Sequence, residues 1–313
     1  MPDAEHAIVV DHLSKRYGAL LAVDNVSFTV KTGEVFAFLG PNGAGKSVTV
    51  EIIETIRTPT SGKVTVLGLD VRRGKAEIVR RIGVLPQSFS SFDRITVRES
   101  LQYYARVFGC KADVDALMDL TNLSGKANAR FNTLSGGLKQ RLGIAAALVN
   151  DPEVVFLDEP TTGLDPHVRR QVWEVLKGLK KRGKTIFLTT HYIEEAELLA
   201  DTVAIISEGK IVAIDSPARL TEMHADQTRL TLESIDTAAL DLIQRMGFDP
   251  TRTDDGNVCV SIKNTDDVRA ILDEIQRAGL ALPGLDVRKP NLEAVFLELT
   301  SAPPDDRENA GAT

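Results

Sequence analysis

The sequence predicts an α/β fold with a mixed sheet core, followed by a smaller α+β domain. Residues 35–39 and 154–157 are uninterrupted apolar runs of the kind that form strands buried on both faces. The first run leads through a glycine-rich turn into a helix expected over residues 48–56, which Pro59 ends. Beyond Leu220 the strand and helix patterns begin again, and a chain of 313 residues is long enough for a second core.

The turn after the first strand carries a phosphate-binding pattern. Residues 40–47 read Gly-Pro-Asn-Gly-Ala-Gly-Lys-Ser and fit G-x-x-x-x-G-K-[ST], the P-loop or Walker A motif. Glycines let the backbone turn tightly and leave N–H groups open to an anion, and the helix N-terminus adds a positive end. We expect Lys46 to reach the β- and γ-phosphates of a nucleotide and Ser47 to ligate Mg²⁺. The predicted nucleotide-binding residues here are Gly40, Pro41, Asn42, Gly43, Ala44, Gly45, Lys46, Ser47 and Val48.

An ordinary glycine-rich strand-to-helix turn is the alternative to this interpretation. The complete octet, with a buried strand before it and a helix after it, favours the nucleotide site.

The second apolar strand ends in two carboxylates, Asp158 and Glu159. The carboxyl ends of strands in an open α/β sheet face the ligand crevice. We expect Asp158 to hold Mg²⁺ through a water molecule and Glu159, on the other side of the strand, to polarise the attacking water. The alternative for either residue is that it only caps the turn at residues 160–163.

A serine–glycine–glycine segment separates this chain from kinases, GTPases and helicases that share a P-loop. Residues 134–141 read Leu-Ser-Gly-Gly-Leu-Lys-Gln-Arg, and Ser135 lies 23 residues before Asp158. In sequence and spacing this segment resembles the signature of ATP-binding-cassette (ABC) ATPases. Ser135, Gly136 and Gly137 precede a helix expected over residues 138–149, so they form a second anion-binding helix N-terminus. In that family the second site serves the ATP of the partner subunit, so the resemblance implies a head-to-tail homodimer around two ATP molecules.

Further positions match the same family. By this resemblance Tyr17 would stack on adenine, although an ordinary strand tyrosine is the alternative. Gln87 would contact Mg²⁺ or water and relay the nucleotide state to a membrane partner. Asp165 would cross the dimer interface, and His191, after the strand at residues 185–190, would contact the γ-phosphate. The resemblance therefore implies the catalytic residues Glu159, His191, Lys46 and Gln87 and the metal ligands Ser47, Gln87 and Asp158.

Two positions depart from the family pattern. Leu138 stands where the signature often has Gln, which removes a side-chain contact to the partner's ribose. Because the Ser135 hydroxyl and the backbone donors remain, we expect a retuned site that is still active. Val48 replaces a second hydroxyl residue, with little expected effect on the chemistry because Ser47 already supplies the metal ligand.

Composition and charge limit the partners and the compartment that fit this chain. A net charge of −7 and a pI near 5.4 argue against nucleic-acid binding, which needs a basic face. Cys110 and Cys259 have no paired or metal-like spacing and fit a reducing compartment. The apolar run at residues 144–149 is far too short to cross a bilayer, and residues 1–6 show no signal-peptide pattern. We therefore expect a soluble chain, held at the cytoplasmic face of the membrane by a permease on another polypeptide.

The chain is expected to comprise a tail at residues 1–6, a cassette at 7–222, an accessory domain at 226–300 and a disordered tail at 301–313. Within the cassette, residues 8–30 and 64–66 predict an antiparallel β-subdomain, and residues 96–150 a helical subdomain. The accessory domain reads β-α-β-β-α-β, a ferredoxin-like pattern. The full fold prediction is thus an α/β P-loop NTPase of ABC type with a small α+β ferredoxin-like C-terminal domain.

The resemblance covers residues 9–220 strongly and the C-terminal segment more weakly. Residues 291–299 resemble the L-E-x-V-F segment that ends many cassettes of drug and antibiotic exporters. The family implies an ATP-hydrolysing subunit of an exporter, most similar to the daunorubicin- and multidrug-resistance (ABC-2) type. Such a subunit would drive a separate permease to export a drug, antibiotic, lipid or similar substrate.

Two alternatives remain beside the exporter. An importer ATPase often carries a regulatory β-barrel after the cassette, whereas this chain reads as mixed α/β. A soluble ABC ATPase acting on ribosomes or DNA normally has two cassettes, or a coiled-coil or zinc insertion, and neither feature is found here. A six-span permease encoded nearby would support export, and a periplasmic-type binding protein would support import.

Overall fold

The computed structural model describes residues 5–224, 228–233, 235–253, 255–262, 265–281, 284–288 and 291–301. It separates into two compact units that divide after Pro217. The N-terminal unit contains the strands β1 His6–Tyr17, β2 Leu20–Lys31, β3 Val35–Leu39, β4 Ser61–Val66, β5 Leu69–Asp70, β6 Ile82–Leu85, β7 Val154–Asp158, β8 Thr185–Thr190, β9 Thr202–Ser207 and β10 Lys210–Asp215. Its α-helices are α1 Lys46–Ile53, α2 Lys75–Arg81, α3 Val97–Phe108, α4 Val114–Leu120, α5 Gly136–Ala147, α6 Pro166–Lys181 and α7 Ile193–Leu199, and α8 Pro217–His224 starts at the division.

A six-stranded sheet in the order β10-β9-β3-β8-β7-β6 forms the centre of the N-terminal unit. The strands β9, β3, β8, β7 and β6 run parallel, and β10 pairs antiparallel with β9 at one edge. All side chains of β3 and β8 are buried, which explains the uninterrupted apolar character of β3. Because these strands are parallel, the carboxyl ends of β3, β6, β7 and β8 lie along one edge, where the predicted site residues follow them.

A second sheet, in the order β2-β1-β4-β5, is fully antiparallel and packs on the first through aromatic rings. Phe28 of β2 stacks on Phe36 of β3 with 5.1 Å between ring centroids. Phe36 in turn stacks on Phe187 of β8 at 5.3 Å. This contact fixes the antiparallel sheet beside the turn that follows β3, as the predicted β-subdomain requires. Strand β1 begins at His6, inside the segment expected to be a tail.

The helical region between β6 and β7 has its own apolar core. The helices α3, α4 and α5 enclose buried Leu101, Met118 and Leu142. A capping box between Thr96 and Glu99 starts α3, in which each side chain bonds the other residue's backbone N–H. The predicted helical subdomain is therefore present.

Two helices near the site begin earlier than predicted. The first was expected from residue 48 and starts at Lys46, because Gly45 adopts a left-handed conformation (φ 98°) that ends the loop there. The second was expected from Leu138 and starts at Gly136, with Ser135 as its extended N-cap. Glycines that read as loop in the sequence therefore form the first turn of α5.

The C-terminal unit, residues 218–301, has a ferredoxin-like topology. Its elements are β11 Thr228–Glu233, α9 Thr237–Arg245, β12 Pro250–Arg252, β13 Val258–Ile262, α10 Thr265–Arg277, β14 Gly284–Arg288 and α11 Leu292–Ser301. The sheet order is β12-β13-β11-β14 and every pair is antiparallel. Leu230, Val260 and Ile262 of the sheet pack with Ile243 of α9 and Ile271 of α10. This element order is the predicted one. The tail was expected at residues 301–313, but α11 extends through Ser301, and residues 302–313 lie outside the described residues.

None of the helices in the described part of the chain combines the length and the apolarity that crossing a bilayer requires.

Candidate nucleotide-binding site

The glycines of the phosphate loop are required by close backbone contacts. A Cβ on Gly45 would lie 2.5 Å from the carbonyl oxygen of Ala22, and Gly45 already has φ 98°. A Cβ on Gly40 would lie 2.5 Å from the carbonyl oxygen of Ile206. The loop is thus wedged between β2 and β9, and any side chain at these two positions would push it out of shape. Pro41, Asn42 and Gly43 are exposed, so the outer part of the loop is open to a ligand.

Lys46 lies inside this loop. Its side chain is 7% exposed, and its Nζ donates to the carbonyl oxygens of Gly40 at 2.6 Å and Pro41 at 3.1 Å. Burial lowers the pKa of the Lys46 ammonium, while the charges of Glu159 and Asp158 act in the opposite direction. The amine therefore sits at the point where the loop amides would receive a phosphate. Ser47 is exposed beside it.

Asp158 and Glu159 follow β7 and meet β8 at the same edge. The hydroxyl of Thr189 donates to Asp158 Oδ1 and accepts from the backbone N–H of Glu159 at 3.1 Å. Burial raises the pKa of Asp158, and the Thr189 hydrogen bond partly offsets this. Glu159 has φ 49°, a left-handed conformation that is costly for a residue with a side chain. This turn ends the strand one residue earlier than expected and directs the buried Glu159 side chain back toward the sheet edge.

The Glu159 carboxylate lies close to the side chains of Lys46, His191 and Thr162. One of its oxygens, Oε1, lies 3.8 Å from Lys46 Nζ. The other, Oε2, lies 2.6 Å from His191 Nδ1 and accepts from the Thr162 hydroxyl at 2.7 Å. The structure thus brings Lys46, Glu159 and His191 together from three separate strand ends, and Asp158 is linked to them through Thr189.

Gln87 lies two residues beyond β6, and the end of β6 pairs with the end of β7. Its side chain is exposed. Gln87 therefore lies at the same edge of the sheet as Asp158 and Glu159.

The signature turn contacts α6. A Cβ on Gly137 would lie 2.1 Å from Cγ1 of Val168, so the first turn of α5 packs directly on the first turn of α6. Asp165 caps that same turn by accepting from the backbone N–H groups of His167 and Val168 at 3.1 and 3.0 Å. Ser135 and Gly136 are exposed at the free end of α5. Ser135 at the start of α5 and Asp165 at the start of α6 therefore lie at two helix ends that pack on each other. Asp165 caps its helix, a role that the resemblance did not imply.

Tyr17 lies at the end of β1 and is 39% exposed. Its hydroxyl accepts from Arg57 at 3.1 Å, and Lys15 Nζ lies 5.1 Å from the ring centroid. An exposed ring between two cations can stack on a base, so the structure is compatible with the stacking role that the resemblance implies.

Three polar residues of this region were missed by the sequence reasoning. Thr189 and Thr162 bind the two carboxylates described above, and Glu54 is buried at the end of α1. Burial raises the pKa of Glu54 to about 8, helped by the charges of Asp158 and Glu51. Thr189 could have been found as a hydroxyl residue at the end of an otherwise apolar strand; Glu54 and Thr162 gave no such signal.

Comparison with known proteins gives one consistent family. The family model described as ABC transporter matches residues 23–162. A Nod factor export ATP-binding protein I of Mesorhizobium japonicum is 39% identical over 96% of this chain and 89% of its own length. A protein of the same name from Rhizobium etli is 41% identical over 94% of this chain and 93% of its length.

Solved structures agree on the fold of the N-terminal part. The ATP-binding subunit of an ABC transporter superposes with a TM-score of 0.62 at 27% identity, covering 69% of this chain and 92% of that one. A dimeric ATP-binding cassette in a post-hydrolysis state, bound to ADP and Pi, gives a TM-score of 0.60 at 27% identity over 67% of this chain and 98% of its own.

Proposed function

The chain belongs to the ABC transporter family of ATP-hydrolysing subunits, and we propose that it drives an exporter whose membrane pore lies on another polypeptide. The observation that carries this proposal is the convergence of Lys46, Glu159 and His191 at the mouth of the phosphate loop. A cation, a buried carboxylate and an imidazole around one phosphate site are what ATP hydrolysis requires.

Each residue has a distinct role in the proposed reaction. Lys46 leaves the loop carbonyls to neutralise the β- and γ-phosphates, which the backbone amides of residues 40–47 also bind. Glu159 takes up a proton from the attacking water through its free oxygen, and His191 keeps the carboxylate aligned and reaches the γ-phosphate. Tyr17 stacks on the adenine ring.

The donors around Asp158 fit Mg²⁺. The Ser47 hydroxyl, the Asp158 carboxylate and the Gln87 amide oxygen are hard oxygen ligands, and Mg²⁺ with a nucleotide usually takes only one or two protein ligands. Bound there, the ion would neutralise charge on the phosphates.

We also propose that two copies close head to tail around two ATP molecules. Ser135 and Gly136 are exposed at a helix N-terminus, packed beside the helix that Asp165 caps, and they leave an anion-binding end unused within one copy. Support comes from the structural relative, which is dimeric. ATP would stabilise the closed pair and its cleavage would release it.

An exposed apolar surface of the helical region supports a membrane partner. Phe92 is 56% exposed and contacts Tyr103 of α3 edge to face, with 5.1 Å between ring centroids. Val107 and Phe108, on the next turn of α3, are also exposed. An exposed apolar patch of this kind marks a protein interface. We propose that a permease binds here and holds the subunit at the cytoplasmic face of the membrane.

Export is favoured over import by the relatives, which are named for Nod factor export and cover more than 90% of this chain. Within exporters we propose the ABC-2 type, the group of the daunorubicin- and multidrug-resistance ATPases, from the L-E-x-V-F pattern in α11. The boundaries 7–222 for the cassette and 226–300 for an accessory domain remain part of this proposal, since the chemistry described above lies before residue 222.

The decisive test combines hydrolysis with assembly. The Glu159→Gln variant should keep ATP binding, lose steady-state ATPase by about a hundredfold or more, and accumulate as an ATP-bound dimer by light scattering. Co-expression with a permease from a neighbouring gene should recover a complex that contains both proteins. Unchanged ATPase in the variant would refute the role of Glu159, and a strictly monomeric variant with ATP, Mg²⁺ and permease would refute the dimer.

A further inference from the structure

The two oxygens of the Glu159 carboxylate have different surroundings. Oε2 accepts from the Thr162 hydroxyl at 2.7 Å and lies 2.6 Å from His191 Nδ1. Oε1 lies 3.8 Å from Lys46 Nζ, beyond hydrogen-bond length, and within the described part of the chain it has no hydrogen-bond partner. The side chain is 8% exposed, so bulk water does not compete strongly for either oxygen.

Two contacts on one oxygen fix the rotation of the carboxylate. With Oε2 held, Oε1 is directed toward Lys46, which marks the γ-phosphate position. A base that activates water must present a free lone pair within hydrogen-bond reach of that water. The Thr162 hydroxyl therefore holds the carboxylate in the orientation that proton transfer needs.

The position of the Thr162 hydroxyl is itself fixed by the neighbouring threonine. Thr161 is fully buried and donates to Glu195 Oε1 at 3.0 Å, the same oxygen that accepts from Trp173 Nε1 at 2.9 Å. The backbone N–H of Thr162 donates to the Glu159 carbonyl at 3.2 Å, which closes a tight turn. The hydrogen bond from Thr161 to Glu195 thus fixes the position of the loop. As a result, the neighbouring Thr162 hydroxyl is held against the Glu159 carboxylate.

We propose that Thr162 is a positioning residue for Glu159. Its hydroxyl holds Oε2 so that Oε1 faces the attacking water. The proposal rests on the proposed function of Glu159 as the base. Because Thr162 begins the loop that ends at Asp165, movement of this loop when a second copy binds would re-aim the carboxylate.

The test compares two substitutions at this position. Thr162→Val keeps the shape and removes the hydroxyl, whereas Thr162→Ser keeps the hydroxyl. Loss of a hydrogen bond to a charged group should lower kcat about tenfold in Thr162→Val, with KM and ATP affinity unchanged. Thr162→Ser should recover kcat to within about twofold. A normal kcat in Thr162→Val, or an equal loss in Thr162→Ser, would overturn the proposal.

A matched control uses Thr253, an exposed threonine of the C-terminal unit whose hydroxyl also donates a hydrogen bond, to the Asn257 carbonyl at 3.1 Å. Thr253→Val should leave kcat unchanged. A tenfold loss there would mean that hydroxyl removal acts nonspecifically, and would overturn the assignment.

A double-mutant cycle separates this proposal from the proposed function. If Thr162 acts through Glu159, adding Thr162→Val to Glu159→Gln should not lower the residual ATPase further. A further tenfold loss would show that Thr162 acts independently of Glu159, which overturns the positioning role. Full ATPase in Glu159→Gln alone would instead refute the proposed function of Glu159.

Discussion

The two compact units treat buried polar groups in opposite ways. In the N-terminal unit Lys46, Glu54, Glu159 and Glu195 are buried, together with several threonines. In the described residues of the C-terminal unit, the buried side chains are all apolar. Burying a charge costs free energy unless partners compensate it. Among the described residues, the buried charges that lower stability are therefore in the N-terminal unit, where the candidate site lies. The C-terminal unit has an apolar core.

In the N-terminal unit, several candidate site residues lie where parallel strands end. Asp158, Glu159 and His191 follow parallel strands, so their backbone direction points them into one crevice. In the ferredoxin-like sheet every pair is antiparallel, so neighbouring strand ends alternate between two edges. A convergent site therefore forms more readily in the first sheet than in the second.

The largest expected effect comes from Lys46→Ala. Removing the ammonium takes away the main positive charge of the phosphate loop, so ATP affinity should fall about a hundredfold. Isothermal titration with a non-hydrolysable ATP analogue measures this. Lys181→Ala, an exposed lysine near the end of α6, is the matched control and should bind normally. Wild-type ATP affinity in Lys46→Ala would show that the buried Lys46 charge does not serve nucleotide binding, which contradicts the difference drawn here between the two units.

The second effect is a pH dependence of stability from Glu54. Its pKa is raised to about 8 from 4.5, so the folded state holds the proton more tightly than the unfolded state. Stability from this group is complete below about pH 4.5 and is lost as the pH rises toward about 8. Glu54→Gln should therefore raise the free energy of unfolding by about 3 kcal/mol near pH 8.5 and change it little near pH 5.

Urea denaturation of the nucleotide-free protein at the two pH values measures this difference. Glu197→Gln, an exposed position in α7, is the control and should show no such gain. An equal gain at both pH values would mean that packing, not ionisation, limits stability at Glu54.

The smallest expected effect is in the C-terminal core. Ile243→Val removes one buried methylene from α9 and should lower the stability of this unit by about 1 kcal/mol. Denaturant unfolding followed by a probe in that unit measures the loss. ATPase activity should stay at the wild-type level. A parallel fall in ATPase would show that this unit takes part in catalysis.

The phosphate loop was predictable because its motif is local. The octet at residues 40–47 fixes both its ligand and its shape within one turn, and the structure shows why Gly40 and Gly45 tolerate no side chain. The convergence of Asp158, Glu159 and His191 also followed from sequence, because parallel strand ends meet at one edge. The starts of α1 and α5 were missed by two residues, since a glycine reads equally as loop or as first helical turn.

The sequence by itself determined the α/β fold class and the family and predicted the candidate nucleotide-binding residues, because short motifs with fixed spacing depend on backbone geometry that the local residues impose. Only the tertiary structure decided that Thr162 and His191 share one oxygen of Glu159, that Glu195 anchors Thr161, and that Gly137 packs on Val168. These contacts join residues on different elements, and their geometry depends on how whole strands and helices pack.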